Sequence, residues 1–368
     1  MILLLFLVKI LFISYPHSFY IVEFWFQIGI HAILASNSEK NMENKINSFD
    51  ESPQEIKNES VHDLLTPDAL NLVDFHLNPS QRLSTADWVN LSMVSNKHQT
   101  LFKPLADVYK LLHYVVRSQY DEVKELLKND INLMLKRERV VDCSGREFQS
   151  ISGFEYALWA LDKHMWTMML ESIPKDEEGK KVLAELLFQY DKVCTDGVTY
   201  NLDGKTITEN HFDFQGTIIK ELQIQWDSLN LPEVDWEASK KQWIEGVGGV
   251  QRKLPMHVVY EYCSRDFHWN PPPPFTSRPQ SSTKFYNHET RKDEDWFAKD
   301  SKLGIDFMIN KGENQFGASA SFGVYGGHTG LDAMKALYAI RTNEFSKFKS
   351  QAEAYLEYDD QLAPLQFA

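Results

Sequence analysis

The predicted fold rests on two stretches, KLLHYVVRSQYDEVKELLKNDIN (residues 110–132) and SGFEYALWALDKHMWTMMLESI (residues 152–173). Each contains an apolar helical turn, a short polar break and a second segment with apolar residues at helical spacing. In the first copy, Val123, Leu126 and Leu127 recur at i, i+3 and i+4, which places them on one face of a helix. The repetition predicts two helix–turn–helix units stacked on each other.

Both copies resemble an ankyrin repeat. The signature T-P-L-H-x-A falls on residues 110–115, where Leu112 and His113 match. In the second copy Glu155 replaces the signature His, and in the first Gln119 replaces the usual inter-helix Gly. The predicted repeat core comprises Leu112, His113, Val123, Leu126, Leu127, Gly145, Phe154, Ala157, Met165 and Met168.

The resemblance implies a mainly α fold: ankyrin-like helical repeats with flanking capping helices, a short irregular or β segment and a long C-terminal helix. It also implies that His113 holds a turn by bonding to the backbone. Gly145 follows Asp-Cys-Ser, where a hairpin requires positive φ. Two repeats bury their apolar faces only with further units or caps, so the flanks must supply caps. The sequence STAD at residues 84–87 resembles a capping box.

An ankyrin-like scaffold implies binding of another protein by the hairpin tips and the exposed side of the first helices. The predicted partner-contact residues are Tyr114, Arg117, Arg137, Arg139, Arg146, Trp159 and Asp162. The alternative is that these charges only solvate a loop, in which case the apolar stripe at residues 331–355 is the next candidate.

The predicted organisation has five parts. They are an apolar prefix (1–41), a disordered leader (42–84), a helical ankyrin-like domain (85–270, with repeats at about 107–135 and 142–173), a Pro-rich linker with an irregular or β segment (271–328), and a C-terminal helix and tail (329–368). Residues 1–35 have three interpretations: a signal peptide, a membrane anchor, or a prefix outside the native protein with Met42 as the start. The last stripe is apolar except for Arg341.

Composition favours a protein as the partner. The formal net charge of −14 argues against nucleic acid or an anionic membrane surface. A membrane role would require residues 1–35 to be a real anchor. Three cysteines, Cys143, Cys194 and Cys263, form no disulfide framework, which fits a reducing compartment.

No motif names a reaction, a cofactor or a metal site. The glycines of GVGG at residues 246–249 follow a helix instead of a strand, so they lack the dinucleotide-binding context. The prediction is therefore a non-enzymatic interaction scaffold. The alternative is an enzyme, Cys-dependent or another transferase or hydrolase, because a cysteine paired in space with a distant histidine is invisible in sequence.

The wider pattern resembles a family of uncharacterised ankyrin-containing proteins of Legionella-type intracellular bacteria. The most specific block is GFEYALWALDKHMW at residues 153–166, and VGGVQRKLPMHVVYEYC at residues 247–263 supports it. The resemblance implies an effector that leaves the bacterial cytoplasm through a type IVB secretion system and enters a host cell. Anchoring to a membrane through the N-terminus is the alternative location.

Overall fold

The computed structural model describes residues 96–265, 268–311, 316–320 and 323–360, with side chains described from residue 105 to residue 354 except at 323–327 within these ranges. The predictions for the apolar prefix, the disordered leader and the STAD sequence therefore lie outside the described residues, as does the prediction for the tail at 361–368. All described residues belong to one unit that begins at Thr85.

Two helical hairpins form where the sequence repeats. The first joins α1 (Asn96–Val115) to α2 (Tyr120–Asn129), and the second joins α3 (Gly153–Trp159) to α4 (Lys163–Glu171). Each turn has one residue in the left-handed region, Ser118 with φ 49° and Leu161 with φ 57°. In the first hairpin, the sequence analysis had placed the inter-helix glycine position at Gln119, one residue after Ser118. α1 packs against α3, and α2 packs against α4.

Between and after these hairpins lies sheet A, with strand order β1-β2-β3-β4 and antiparallel pairing throughout. Its strands are β1 (Arg137–Val141), β2 (Glu147–Ser152), β3 (Val198–Leu202) and β4 (Lys205–Glu209). Gly145, at φ +87°, makes the β1–β2 turn. α5 (Glu177–Asp196) leads into β3 and packs against α3. Asp176 caps this helix by accepting a hydrogen bond from the Gly179 amide.

A second helical group follows sheet A. It comprises a π-helical turn (Gln215–Ile219), α6 (Lys220–Leu229), α7 (Trp236–Lys241), a second π-helical turn (Gln242–Gly248), α8 (Gly249–Gln251) and α9 (Met256–Cys263). The two π-helical turns flank α6 and α7 in the chain, and both pack against α6. Such turns are rare and frequently occur at functional sites.

Sheet B and two long helices complete the described chain. The strands β5 (Lys284–Asn287), β6 (Lys292–Asp295), β7 (Met308–Lys311) and β8 (Phe316–Ser319) lie in the order β6-β5-β8-β7. They are followed by α10 (Gly323–Ser346) and α11 (Phe348–Asp360). Within the described residues, none of the helices is both long and apolar enough for a membrane span.

The predicted fold class is wrong. Two four-stranded sheets within the helical framework make the chain a mixture of α and β structure instead of mainly α ankyrin repeats. Strands such as VTYNL and KTITE have only five residues each, and helical periodicity on either side of them dominates the pattern. Their β-branched residues pair only because β2 and β3 meet in space, at a contact between Glu147 and Asn201, which lie 54 positions apart in the chain.

Most predicted repeat-core residues are buried. Leu112, Val123, Phe154, Ala157 and Met165 have no exposed surface. Leu127 is buried, and Leu126 and Met168 are half-buried against the same core. His113 differs, because its side chain is exposed and its Nδ1 lies 3.1 Å from Nη1 of Arg117. The prediction that this imidazole bonds to the backbone is therefore wrong.

The apolar stripe of the C-terminal helices packs against the protein's own body. Phe345 and Phe348 contact Tyr190 of α5, and Phe348 also contacts Phe154 of α3. Arg341, the charged exception in the stripe, has no exposed surface. Phe345 and Phe348 are therefore not available to a partner helix.

Candidate functional site

A cleft of about 670 Å³ opens where the turns of sheet A approach the second π-helical turn and the loop at residues 296–301. We call it the charged cleft. Its charged lining residues are Asp203, Glu221, Glu245, Arg252 and Lys253, and its apolar wall includes Trp296 and Phe297. Charges of both signs beside aromatic rings are typical of surfaces that recognise a polar ligand or a segment of another protein.

Two of the charges are paired across the cleft. Asp203 lies in the two-residue Asp-Gly turn between β3 and β4, a sequence suited to the positive φ values of a tight hairpin. Lys253, just beyond α8, places Nζ 2.7 Å from Oδ2 of Asp203. This contact lowers the pKa of the Asp203 carboxyl below its usual value. Both side chains remain accessible, so the ion pair is open to exchange with a ligand.

The second π-helical turn shapes the opposite wall. Gln242 donates a hydrogen bond of 2.6 Å from Nε2 to Oε2 of Glu221, which ties this turn to α6. A Cβ on Gly248 would lie 2.9 Å from the Cα of Gly304, so only glycine permits this backbone contact. Gly248 of the GVGG sequence therefore allows the π-helical turn to pack closely against the chain before β7.

Arg252 and Glu245 are the charges in the cleft most available to a ligand. The Arg252 side chain is exposed and forms no hydrogen bond or ion pair with any described residue. Glu245 is exposed and has only a long contact of 3.8 Å with Lys241. The guanidinium offers several donors in a fixed plane, which suits a carboxylate or another planar acceptor.

The chemistry of the cleft favours binding over nucleophilic attack. Cys143 lies in its wall, and burial raises the pKa of this thiol to about 11, so the thiol stays protonated near neutral pH. The Ser144 hydroxyl donates to Oδ1 of Asp142 at 2.6 Å, and the lining residues include no histidine to act as a base. Across the part of the chain that the structure describes, no group of three His, Cys, Asp or Glu residues is placed to hold a metal ion.

Comparison with known proteins gives a relative for most of this region. The chain is 32% identical over 259 residues to a protein of Coxiella burnetii described as uncharacterized protein CBUA0006. The alignment covers 65% of this chain and 73% of the relative. Residues 217–352 match the family described as CBUA0006 C-terminal domain. The chain belongs to the CBUA0006 family.

No solved structure matches the chain, and no ankyrin repeat family is detected in it. The predicted ankyrin membership is therefore not supported at the level of family, in agreement with the mixed fold. The part that matches the CBUA0006 C-terminal domain includes Glu221, Glu245, Arg252 and Lys253 of the charged cleft. Cys143, Ser144 and Asp203 lie outside that match and join the cleft from sheet A.

Three of the predicted partner-contact residues are buried, so the prediction of their exposure is wrong. Arg146 is 2% exposed, Trp159 has no exposed surface and Asp162 is 3% exposed. The Arg146 guanidinium pairs with Asp142 at 3.5 Å and lies 5.1 to 5.4 Å from the ring centroids of Trp159, Tyr200 and Phe212. Sheet A closes over this face of α3 and covers it.

Asp162 has a structural role that its sequence context explains. It is the N-cap of α4 and accepts a hydrogen bond of 3.1 Å from the Met165 amide. Its carboxylate also accepts hydrogen bonds from the Ser118 hydroxyl at 2.8 Å and from the Tyr120 hydroxyl at 3.1 Å. We call Ser118, Tyr120 and Asp162 the Asp162 cluster. It links the turns of the two helical hairpins.

The remaining predicted contact residues are partly accessible but engaged within the chain. Arg137 pairs with Glu155, and Arg139 places Nε 2.6 Å from Oε1 of Glu147. Tyr114 and Arg117 are half-buried on α1 and its turn. None of these four residues lines the charged cleft.

The sequence analysis missed a cluster of charged side chains around the buried Arg341. Three of its residues lie in the region matched by the CBUA0006 C-terminal domain, and the fourth lies in α4. Arg341 donates from Nη1 to Oε2 of Glu344 at 2.8 Å, and its Nη2 lies 3.3 Å from Nε2 of His164 and 3.9 Å from Oε1 of Glu261. We call His164, Glu261, Arg341 and Glu344 the Arg341 cluster. The signal was present, because Arg341 is the one charge in an otherwise apolar stripe.

Burial shifts the pKa values of this cluster in opposite directions. It raises the pKa of Glu261 to about 7, an effect that Arg341 only partly offsets. Burial, together with the neighbouring guanidinium of Arg341, lowers the pKa of His164 to about 4. Lys311 is buried beside the cluster and donates to the carbonyl oxygens of Glu261 and Ser264 at the end of α9.

Proposed function

We propose that the chain is a non-enzymatic protein-binding module and that the charged cleft receives a segment of its partner. The observation that carries this proposal is the exposed Arg252 side chain, which has no ion pair among the described residues and faces a cleft large enough for several side chains. Lys253 and Asp203 beside it are paired but accessible, so they contribute exchangeable contacts.

The partner segment that fits this cleft carries a carboxylate beside an apolar side chain. The carboxylate matches the planar donors of Arg252. The apolar side chain matches the wall that Trp296 and Phe297 provide. The high pKa of the Cys143 thiol supports binding over cysteine-dependent catalysis at the same place.

Quantitative affinity capture from host-cell lysate tests this role with three baits: the unaltered chain, Arg252→Glu and Lys181→Glu. Lys181 is an exposed residue of α5 that does not line the cleft, so its reversal is a matched control for net charge. We expect a defined host protein that binds the unaltered chain and Lys181→Glu equally but binds Arg252→Glu at least about tenfold less, a change of about 1.4 kcal/mol.

Direct titration with that protein, purified, distinguishes specific binding from capture by chance. Equal affinity of Arg252→Glu and the unaltered chain, with unchanged thermal unfolding, would remove the cleft from the proposal. Turnover of the captured protein by the chain would favour an enzyme instead.

We further propose that the chain is delivered into a host cell by a type IVB secretion system. Its relative in Coxiella burnetii and the resemblance of residues 153–166 and 247–263 to proteins of Legionella-type intracellular bacteria support this route. A translocation reporter fused to the N-terminus of the chain tests it. We expect the reporter signal in host cells infected with a secretion-competent strain, and its loss both in a secretion-deficient strain and on removal of residues 361–368.

A further inference from the structure

Strand β4 forms an open edge of sheet A. The order β1-β2-β3-β4 leaves β4 (Lys205–Glu209) with one neighbour, and no other described strand pairs with it. Its sequence KTITE contains three β-branched residues and no proline, and no bulge interrupts its register with β3. An open edge presents backbone N–H and C=O groups that another strand can bond.

The hairpin register fixes which backbone groups point outward. Leu202 and Lys205 flank the two-residue Asp-Gly turn and are directly opposite each other, so they exchange hydrogen bonds within the hairpin. Because inward and outward positions alternate along an antiparallel strand, Ile207 and Glu209 also bond inward. The outward N–H and C=O groups of β4 therefore belong to Thr206 and Thr208.

The charges of β4 are complementary to those of a second, antiparallel copy of the same strand. Lys205 lies at one end of β4 and Glu209 at the other, and Ile207 lies midway between them. Neither Lys205 nor Glu209 forms an ion pair with a described residue. Glu209 instead accepts hydrogen bonds from Trp159 at 3.1 Å and Tyr200 at 3.0 Å, both on one carboxylate oxygen.

We propose that a second copy of this chain pairs with β4 in antiparallel orientation, about a two-fold axis through Ile207. This register places Thr206 of one copy opposite Thr208 of the other, so that their outward groups exchange four backbone hydrogen bonds across the axis. The two sheets A become one continuous sheet of eight strands. A two-fold interface of this kind requires one self-complementary patch, which KTITE provides.

The same register aligns the side chains. Each Lys205 lies opposite Glu209 of the other copy, and Ile207 lies opposite Ile207, in the closely spaced pairs of an antiparallel ladder. Burial raises the pKa of Glu209, and a lysine from the second copy opposes that shift by stabilising the charged carboxylate. Edge pairing over five residues buries less area than a typical permanent interface, so the dimer forms in a concentration-dependent way.

Sedimentation equilibrium of the full chain over about a hundredfold range of concentration tests the association. We expect the weight-average mass to rise towards that of a dimer for the unaltered chain. Thr206→Pro removes an outward N–H without removing a bond to β3, and Lys205→Glu places two carboxylates opposite each other, so each should weaken dimerisation at least about tenfold. Lys124→Glu, an exposed reversal on α2, is the matched control and should dimerise like the unaltered chain.

Cross-linking tests the register itself. Ile207→Cys puts two thiols opposite each other at a spacing that suits a disulfide, so oxidation should give a covalent dimer. Lys205→Cys, on the same strand but not opposite itself, should not exceed the background that Cys143, Cys194 and Cys263 give in the unaltered chain. A monomer at every concentration overturns the proposal, as does a dimer that Thr206→Pro leaves intact or equal cross-linking of the two cysteine variants.

Discussion

The Asp162 cluster and the Arg341 cluster bury charge in opposite ways. The Asp162 carboxylate accepts hydrogen bonds from two hydroxyl groups and one backbone amide, which together satisfy both of its oxygens. The Arg341 guanidinium bonds Glu344 well but reaches Glu261 only at 3.9 Å, and its Nε has no partner among the described residues. The residues of the Asp162 cluster lie in the turns of the two helical hairpins, whereas those of the Arg341 cluster come from α4, α9 and α10.

The comparison teaches that burial alone does not determine how a charge behaves. In the Asp162 cluster, two hydroxyl groups and one backbone amide donate to the carboxylate oxygens. In the Arg341 cluster, burial raises the pKa of Glu261 and lowers that of His164, while the guanidinium of Arg341 lowers both. The Arg341 cluster should therefore be the more sensitive of the two to substitution and to pH.

The largest effect is expected from Arg341→Met. Removing the guanidinium takes the cation nearest to the buried Glu261 carboxyl away, whereas the half-buried Glu344 keeps Lys163 at 3.5 Å. We therefore expect a loss of about 3–5 kcal/mol in the free energy of unfolding by urea. Combining Arg341→Met with Glu261→Gln should recover part of that loss, because the buried Glu261 carboxyl is then absent. A loss below about 1 kcal/mol for Arg341→Met would show that the cluster is not held by its charges.

A smaller effect is expected from Asp162→Asn. The amide keeps one acceptor oxygen but turns N–H donors towards the Ser118 and Tyr120 hydroxyls, which should cost about 1–3 kcal/mol. Asp176→Asn is the matched control, because Asp176 caps α5 near the surface and Asn caps a helix as well as Asp. Equal losses from the two substitutions, measured in the same urea series, would contradict the role given to the cluster.

The pH dependence of stability separates the two titrating groups of the Arg341 cluster. Glu261 has a raised pKa in the folded state, so its contribution to stability falls as pH rises from about 4.5 to about 7. His164 has a lowered pKa, so its contribution rises as pH rises from about 4 to about 6.5. The two slopes oppose each other in the unaltered chain.

Single substitutions should reveal each slope. We expect Glu261→Gln to gain stability as pH rises through this range and His164→Gln to lose it, each by on the order of 1–3 kcal/mol in urea unfolding at a series of pH values. The unaltered chain, in which the two slopes oppose each other, serves as reference. Parallel pH profiles for Glu261→Gln and His164→Gln would refute the opposed shifts.

The smallest effect is expected outside both clusters, at the accessible ion pair of Arg139 and Glu147. Both side chains are about one-third exposed, so Arg139→Ala should cost only about 0.2–1 kcal/mol. Arg146→Ala in the same hairpin should cost several times more, because it removes a buried guanidinium from Asp142 and from three aromatic rings. Thermal unfolding of the two variants side by side measures the difference.

Sequence reasoning succeeded where the signal is local. The helical hairpins, the turn at Gly145 and most of the buried repeat core follow from apolar spacing and turn chemistry over a few residues. It failed where strands pair over a long distance in the chain. Sheet A joins β2 to β3 across α3, α4 and α5, and no local sequence pattern predicts that β3 is the strand that pairs with β2. The predicted exposure of Arg146 and Trp159 failed for the same reason, since sheet A covers them.

The candidate site shows the same division. The sequence marked Arg341 as an unusual charge within an apolar stripe, and it excluded a dinucleotide site at the glycines of 246–249. It did not reveal the charged cleft, because Asp203, Glu221 and Arg252 converge only after both sheets and the π-helical turns are in place.

The sequence by itself determined the two helical hairpins and the turn at Gly145, because each depends on neighbours a few positions apart. The tertiary structure alone decided that these hairpins carry two sheets, that Arg341 is enclosed and that Arg252 is left open. Those outcomes depend on contacts between segments far apart in the chain, whose free energy is set by which surfaces exclude water together and not by any local pattern.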